Sequence, residues 1–174
     1  MPPKTRTAQQ KQSPAERARQ RKRPVLKMTI CDDQDVKTAL EVARHTVRRL
    51  KAETADHPDD ATVTVALAQA EQDLEAAQAA FDAEAYDLRF EALPRTDFED
   101  LKKGHPPTEA QAEDGFAFNI DTFGPALVSA ASLDGLTVDD AASFLDTWAE
   151  NEAAALFNTA WSAQQENRTD VGKG

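Results

Sequence analysis

Between Val36 and Leu50 the apolar positions Val36, Leu40, Ala43, Val47 and Leu50 recur at alternating steps of four and three, which lays one apolar seam along a helix. A second seam, Val63, Leu67, Ala70, Leu74, Ala77 and Phe81, runs through an Ala-, Glu- and Gln-rich background. His57-Pro58-Asp59-Asp60 separates the two, because proline disfavours helical backbone in the residue before it. Two seams across a short hinge predict an antiparallel helical hairpin. Asp32-Asp33, just ahead of the first seam, suit a helix N-terminus, where carboxylates accept from free N–H groups and meet the positive end of the dipole.

On either side of the hairpin the pattern changes. Val25-Leu26-Lys27-Met28-Thr29-Ile30-Cys31 is a short β-type run stopped by the two aspartates. At Tyr86 the period switches from about 3.5 to 2: Tyr86, Leu88, Phe90 and Ala92 alternate with Asp87, Arg89 and Glu91, the pattern of a half-buried strand. This predicts that residues 86–92 pair with 25–31. A helix continuing to Leu93 is the competing reading.

Beyond Pro94, Thr96-Asp97-Phe98-Glu99 reads as a capping box for a short helix over 97–103, with Gly104 as its stop. His105-Pro106-Pro107 forces an extended turn into a polar loop, 108–114. Asn119 or Asp121 caps a helix to about Ser132, with Pro125 in its first turn. Leu133-Asp134-Gly135 is a turn, Thr137-Val138-Asp139-Asp140 another capping box, and Asn151 the cap of a last helix. Those two helices align Ala141, Phe144, Leu145 and Trp148, then Leu156, Phe157, Ala160 and Trp161. The fold class is therefore mainly α with a minor β element. A strand–helical hairpin–strand unit, 25–93, precedes a small helical domain, 94–164, and the two are flanked by a disordered basic arm, 1–24, and a flexible tail, 165–174.

Charge sharpens this division. The chain of 174 residues carries −11 overall. Residues 1–27 hold nine cations against Glu16 alone, a net +8, which leaves −19 for the rest. The arm has almost nothing to bury and cannot offset the entropy of ordering. Its cations could meet phosphates, but the acidic body repels nucleic acid and the arm has no aromatic residue to stack on bases. Nucleic-acid binding is therefore disfavoured. No window approaches the ~20 apolar residues of a membrane helix, and the N-terminus lacks the apolar stretch of a secretory signal. Cys31 is the only cysteine, which excludes an intrachain disulfide and fits a reducing compartment.

No catalytic constellation assembles from these residues. His45 sits among Arg44, Arg48 and Arg49, His57 in the hinge, and His105 before two prolines, without metal-ligand spacing or an adjacent nucleophile. Gly124-Pro125 and Gly135 are isolated glycines rather than a phosphate cradle. The chain is read as a non-enzymatic binding protein, with no cofactor and no metal. Phe144, Trp148, Phe157 and Trp161 are either the core of a two-helix unit or the anchors of a docking groove.

From Tyr86 onward the order of features is distinctive. An alternating strand, Tyr86–Leu93, precedes the helix at Asp97-Phe98-Glu99-Asp100-Leu101 and the turn His105-Pro106-Pro107. Phe118-Asn119-Ile120-Asp121-Thr122-Phe123-Gly124-Pro125-Ala126-Leu127 follows, then the closing helices with Trp148 and Leu156-Phe157. This order resembles the tail assembly chaperones of long-tailed bacteriophages (siphoviruses), especially those infecting actinobacteria, over about 25–164. His105, Pro106, Pro107, Thr122 and Phe123 are the landmarks of the resemblance. The basic arm is longer than in that family, and Gly124 stands where the family often has a second proline.

The resemblance implies a protein that binds the tape measure protein, the long helical ruler of the tail, and helps recruit tail tube protein subunits. It implies work in the host cytoplasm during assembly and absence from the mature virion. Self-association is a further expectation. Members of the family commonly exist also as a longer frameshifted product, and the Gly172-Lys173-Gly174 codons can spell a slippery run. The alternatives from other classes are a structural tail or connector protein and a nucleic-acid-binding regulator using the arm.

Overall fold

A computed structural model describes residues 13–169; the arm before Ser13 and the tail from Asp170 onward lie outside the described residues. The chain is mostly helical, with eight helices and one two-stranded antiparallel sheet among the described residues. Within the expected arm, α1 (Pro14–Arg19) is a short exposed helix. Ser13 and Glu16 close a reciprocal capping box on it, and Pro14 occupies its first position.

Strand β1 (Val25–Ile30) pairs with β2 (Tyr86–Glu91) from Val25 opposite Glu91 to Ile30 opposite Tyr86. The period-2 reading thus holds over the competing helix. Helices α2 (Gln34–Asp56) and α3 (Ala61–Glu84) form the hairpin between them. Asp33 and Asp60 cap the two helices, each accepting from two backbone N–H groups. Leu40, Val47, Leu50 and Ala70 are buried along the seams. Lys51–Glu71 at 3.0 Å and Arg44–Gln78 at 3.0 Å bridge the two helices on the exposed side. At 23 and 24 residues, each helix runs for ~35 Å. Val47, Leu50 and Ala70 form a core of their own, separate from the main one.

The main core joins the sheet to the helices that follow: α4 (Arg95–Gly104), α5 (Glu109–Glu113), α6 (Ile120–Ala131), α7 (Val138–Thr147) and α8 (Glu150–Gln165). Phe90, Phe123, Leu127, Val128 and, from α8, Leu156 are fully buried there, with Leu26, Met28 and Leu88 packed against them. Ala160 and Ala163 let α8 lie close to its neighbours. The expected division at 93/94 therefore runs between the sheet and the helices that bury it, while the hairpin stands apart with its own seam. The outer edge of β2 is closed by the turn after α6. Leu133 N donates to Arg89 O at 2.9 Å, Arg89 N donates to Asp134 Oδ2 at 2.6 Å, and the Arg89 guanidinium pairs with Asp134 Oδ1. Gly135, at φ 78°, supplies the left-handed backbone that this turn needs.

Several local expectations need correction. Helix α4 starts at Arg95 behind Pro94 without a side-chain cap; Thr96 bonds Asp97 and Glu99 is held by Arg95 at 2.8 Å, so no capping box forms. Gly104 is the last helical residue and His105 the cap. The 108–114 loop contains α5, opened by a Thr108–Gln111 capping box. Asn119 is the cap of α6, which puts Pro125 beyond its first turn, inside the helix. Helix α8 starts at Glu150 behind Ala149, and Asn151 is exposed within its first turn. Trp148 leaves α7 as an extended cap, because the connection to α8 is a single sharp corner at Trp148-Ala149.

With a core of its own, the hairpin should respond to damage by itself. Leu50→Ala should cost ~2–4 kcal/mol, with amide hydrogen exchange accelerated through α2 and α3 and little changed in α8; uniform acceleration would place the hairpin in one cooperative unit with the main core. At the edge of β2, hydrogen bonds from the Arg89 side chain, then from its backbone, hold the Asp134 carboxyl below the ordinary aspartate range. Its stabilisation is complete above that range and is lost as pH falls through the lower folded value. The stability gap between wild type and Asp134→Asn, read from urea midpoints, should therefore narrow in acid.

Candidate protein-binding surface

The landmark residues of the sequence form one local unit. His105 Nδ1 lies 2.9 Å from Thr122 Oγ1, and Asn119 N donates to His105 O at 2.8 Å. The Asn119 side chain in turn accepts from Asp121 N and Thr122 N. The turn after α4 is thus pinned to the first turn of α6. Phe123 is fully buried behind this latch, with ring centroids 4.2 Å from Phe118 and 6.2 Å from His105. Pro106 is exposed and Pro107 half-buried. These residues position α6; they do not form a concave site.

The four aromatic anchors are brought together as two stacked pairs rather than one cluster. Phe144 and Trp148 stack at 4.7 Å, Phe157 and Trp161 at 6.0 Å. All four are half-buried. Trp161 turns inward against Phe98, Phe118 and Phe123. Phe157 lines a groove of ≈ 440 Å³ between α6, α7 and α8.

Of the four aromatic anchors read from the sequence, Phe157 alone lines this groove. Its floor is Gly124 and Pro125, both buried in α6. A methyl placed on Gly124 would meet Leu145 at 3.5 Å and Phe157 at 3.7 Å, ordinary contact distances, so a side chain here would take up part of the space between the two walls. Leu145 and Ala142 of α7 form one wall, Ala153, Ala154 and Phe157 of α8 the other. Ile120, 40% exposed, stands at the rim with the carboxylates Asp121 and Asp146. No cation lines it. The reason is written in the sequence: from Gly104 to Asn167 there is no Lys or Arg, while carboxylates run from Glu109 to Glu166. An apolar slot framed by carboxylates suits the apolar face of a helix that carries basic residues beside it.

Among the described residues no helix is long and apolar enough to cross a membrane. Trp161→Ala, which unpacks four aromatic neighbours, should lower stability by about 3 kcal/mol. Ala154→Arg, at an exposed groove position, should leave thermal unfolding within ~0.5 kcal/mol of wild type; a large loss there would make the groove part of the core. Comparison of the chain with protein-family models, with curated proteins and with solved structures finds no match.

Proposed function

We propose that this protein is a phage tail assembly chaperone, binding the tape measure protein and helping to recruit tail tube subunits during tail assembly. The observation that carries the reading is the groove between α6, α7 and α8, apolar within and with carboxylates as the only charged groups that line it. The resemblance in sequence runs through the same helix, since Asn119-Ile120-Asp121-Thr122-Phe123 both carries the resemblance and supplies the groove's rim. A ruler with long apolar seams self-associates before tube subunits coat it. A partner that covers part of a seam and brings net charge −11 keeps the complex dispersed by self-repulsion. The work requires no turnover, cofactor or metal. In this reading the protein acts in the host cytoplasm and is absent from the finished particle.

Co-expression with a candidate tape measure protein tests this reading. The two proteins should co-purify, and Ala154→Arg should weaken the complex at least ~10-fold while the variant remains folded. Alanine at Phe157 should cost ~1–4 kcal/mol of binding. Equal recovery with Ala154→Arg overturns the groove as the site. Abundant copies in mature particles would instead make the chain a structural tail or connector protein.

A further inference from the structure

The two edges of the small sheet are treated differently. Ala92 N donates to Pro24 O at 2.9 Å, and with Val25 opposite Glu91 this sets the phase of the ladder. Leu26, Met28 and Ile30 turn their backbone groups toward β2, while Val25, Lys27 and Thr29 turn theirs outward. On β2 the outward groups of Arg89 are taken by Leu133 and Asp134. On β1 no described residue accepts from or donates to the outward backbone groups of Val25, Lys27 or Thr29. Their side chains are exposed as well.

Beside this open edge lies a groove with β1 as one wall and α8 as the other. Its Val25 end, ≈ 580 Å³, is lined from α8 by Asn158, Thr159 and Ser162. Its Ile30 end, ≈ 470 Å³, is lined by Trp148, Tyr86 and Glu152, and Ala155 belongs to both ends. A strand edge facing a helix across a groove is the geometry in which an extended peptide completes a sheet: backbone bonds provide affinity and alternate side chains enter the groove. The short side chains of Ala155, Thr159 and Ser162 leave room for them.

Antiparallel pairing, the slightly more stable ladder, continues the β1–β2 sheet, and charge then sets which end of the segment is cationic. Asp32 and Glu152 stand at the Ile30 end, both near enough to the Tyr86 phenol to add to the upward pKa shift that burial gives it; Lys37 is the one cation lining that end. At the other end lie Lys22, Arg23 and Arg168, with the Arg168 guanidinium on Lys22 O and Arg23 paired to Glu91. A strand antiparallel to β1 begins at the acidic end and finishes at the basic one. Pairing of β1 with its own copy, centred on Lys27, is disfavoured because it sets two lysines opposite each other.

We propose that the outer edge of β1 receives an extended segment of a partner protein as a third, antiparallel strand. The segment carries apolar side chains at alternate positions and a Lys or Arg near its N-terminal end. This surface is independent of the groove between α6, α7 and α8.

The test uses the full chain and a degenerate pool of peptides of about eight residues, the length of an ordinary strand. Each begins with Lys or Arg, alternates Val, Ile, Leu or Phe with Ser or Thr, and ends in Asp or Glu; a second pool has the charges exchanged. Thr29→Pro removes an outward N–H and leaves the β1–β2 ladder intact. Thr29→Ala is its control, since both lose the Oγ1–Asp87 bond of 2.6 Å. Wild type and Thr29→Ala should retain the first pool at least ~10-fold better than Thr29→Pro, and better than they retain the second pool. The Lys27 and Thr29 amides of wild type should exchange more slowly with peptide bound. Equal retention by a folded Thr29→Pro overturns the proposal, as does the absence of retention by wild type. Protection of those amides by dimerisation without peptide assigns the edge to a second copy and overturns it too. If Thr29→Pro does not fold, amide exchange in wild type decides alone: slowed exchange at Lys27 and Thr29 supports the third strand, and unchanged exchange overturns it.

Discussion

The pairing of β1 with β2 holds the architecture together, because it closes the excursion of the chain through residues 31–85. Closing a long loop costs entropy that grows only slowly with length, so a short ladder suffices when one face of it is buried. That face is supplied by Leu26, Met28, Leu88 and the fully buried Phe90, all packed on the core that Leu156 of α8 shares. The opposite face carries Lys27, Asp87, Arg89 and Glu91, tied in ion pairs with one another, with Arg23 and with Asp134. The hairpin leaves the same ladder and returns to it, with a smaller core of its own. The sheet thus converts two helical units into one molecule and fixes where each begins.

The second constraint is electrostatic. Opposite charges meet at the sheet, whereas the surface built from 104–167 has carboxylates and no Lys or Arg. Repulsion across such a surface works against compactness. Here the cost falls on exposed helix faces, and part of it is relieved where carboxylates sit at helix N-termini: Asp121 on α6, Asp139 and Asp140 on α7, Glu150 and Glu152 on α8. The same charges frame the apolar groove, so the feature that opposes folding also favours a basic partner there.

Much of the scaffold is legible in the sequence because its signals are periodic. The seams at Val36–Leu50 and Val63–Phe81 and the switch at Tyr86 each follow the repeat of the structure they form. Caps are less legible. Asp33, Asn119 and Thr137 act as expected, and Asp60, read only as part of the hinge, caps α3 as well, but α4 and α8 begin behind Pro94 and Ala149, where chain direction rather than a side chain ends the preceding element. The groove is hidden for a different reason. Gly124-Pro125 falls inside the helix that the sequence predicts, and an isolated glycine there carries no signal of a groove. The missing side chain of Gly124 has meaning only once α7 and α8 stand opposite it. The run without cations is visible in the sequence, but the averaged charge of the acidic body obscures it.

Binding of a helical partner in the groove between α6, α7 and α8 leaves a signature in backbone protection. Hydrogen exchange of this protein, alone and with the proposed tape measure partner added, reads that signature residue by residue. Slowed exchange should be concentrated in residues 120–125, 142–146 and 153–157. Protection confined to the α2–α3 hairpin, or none in α6, α7 and α8, would contradict the groove as the partner's seat.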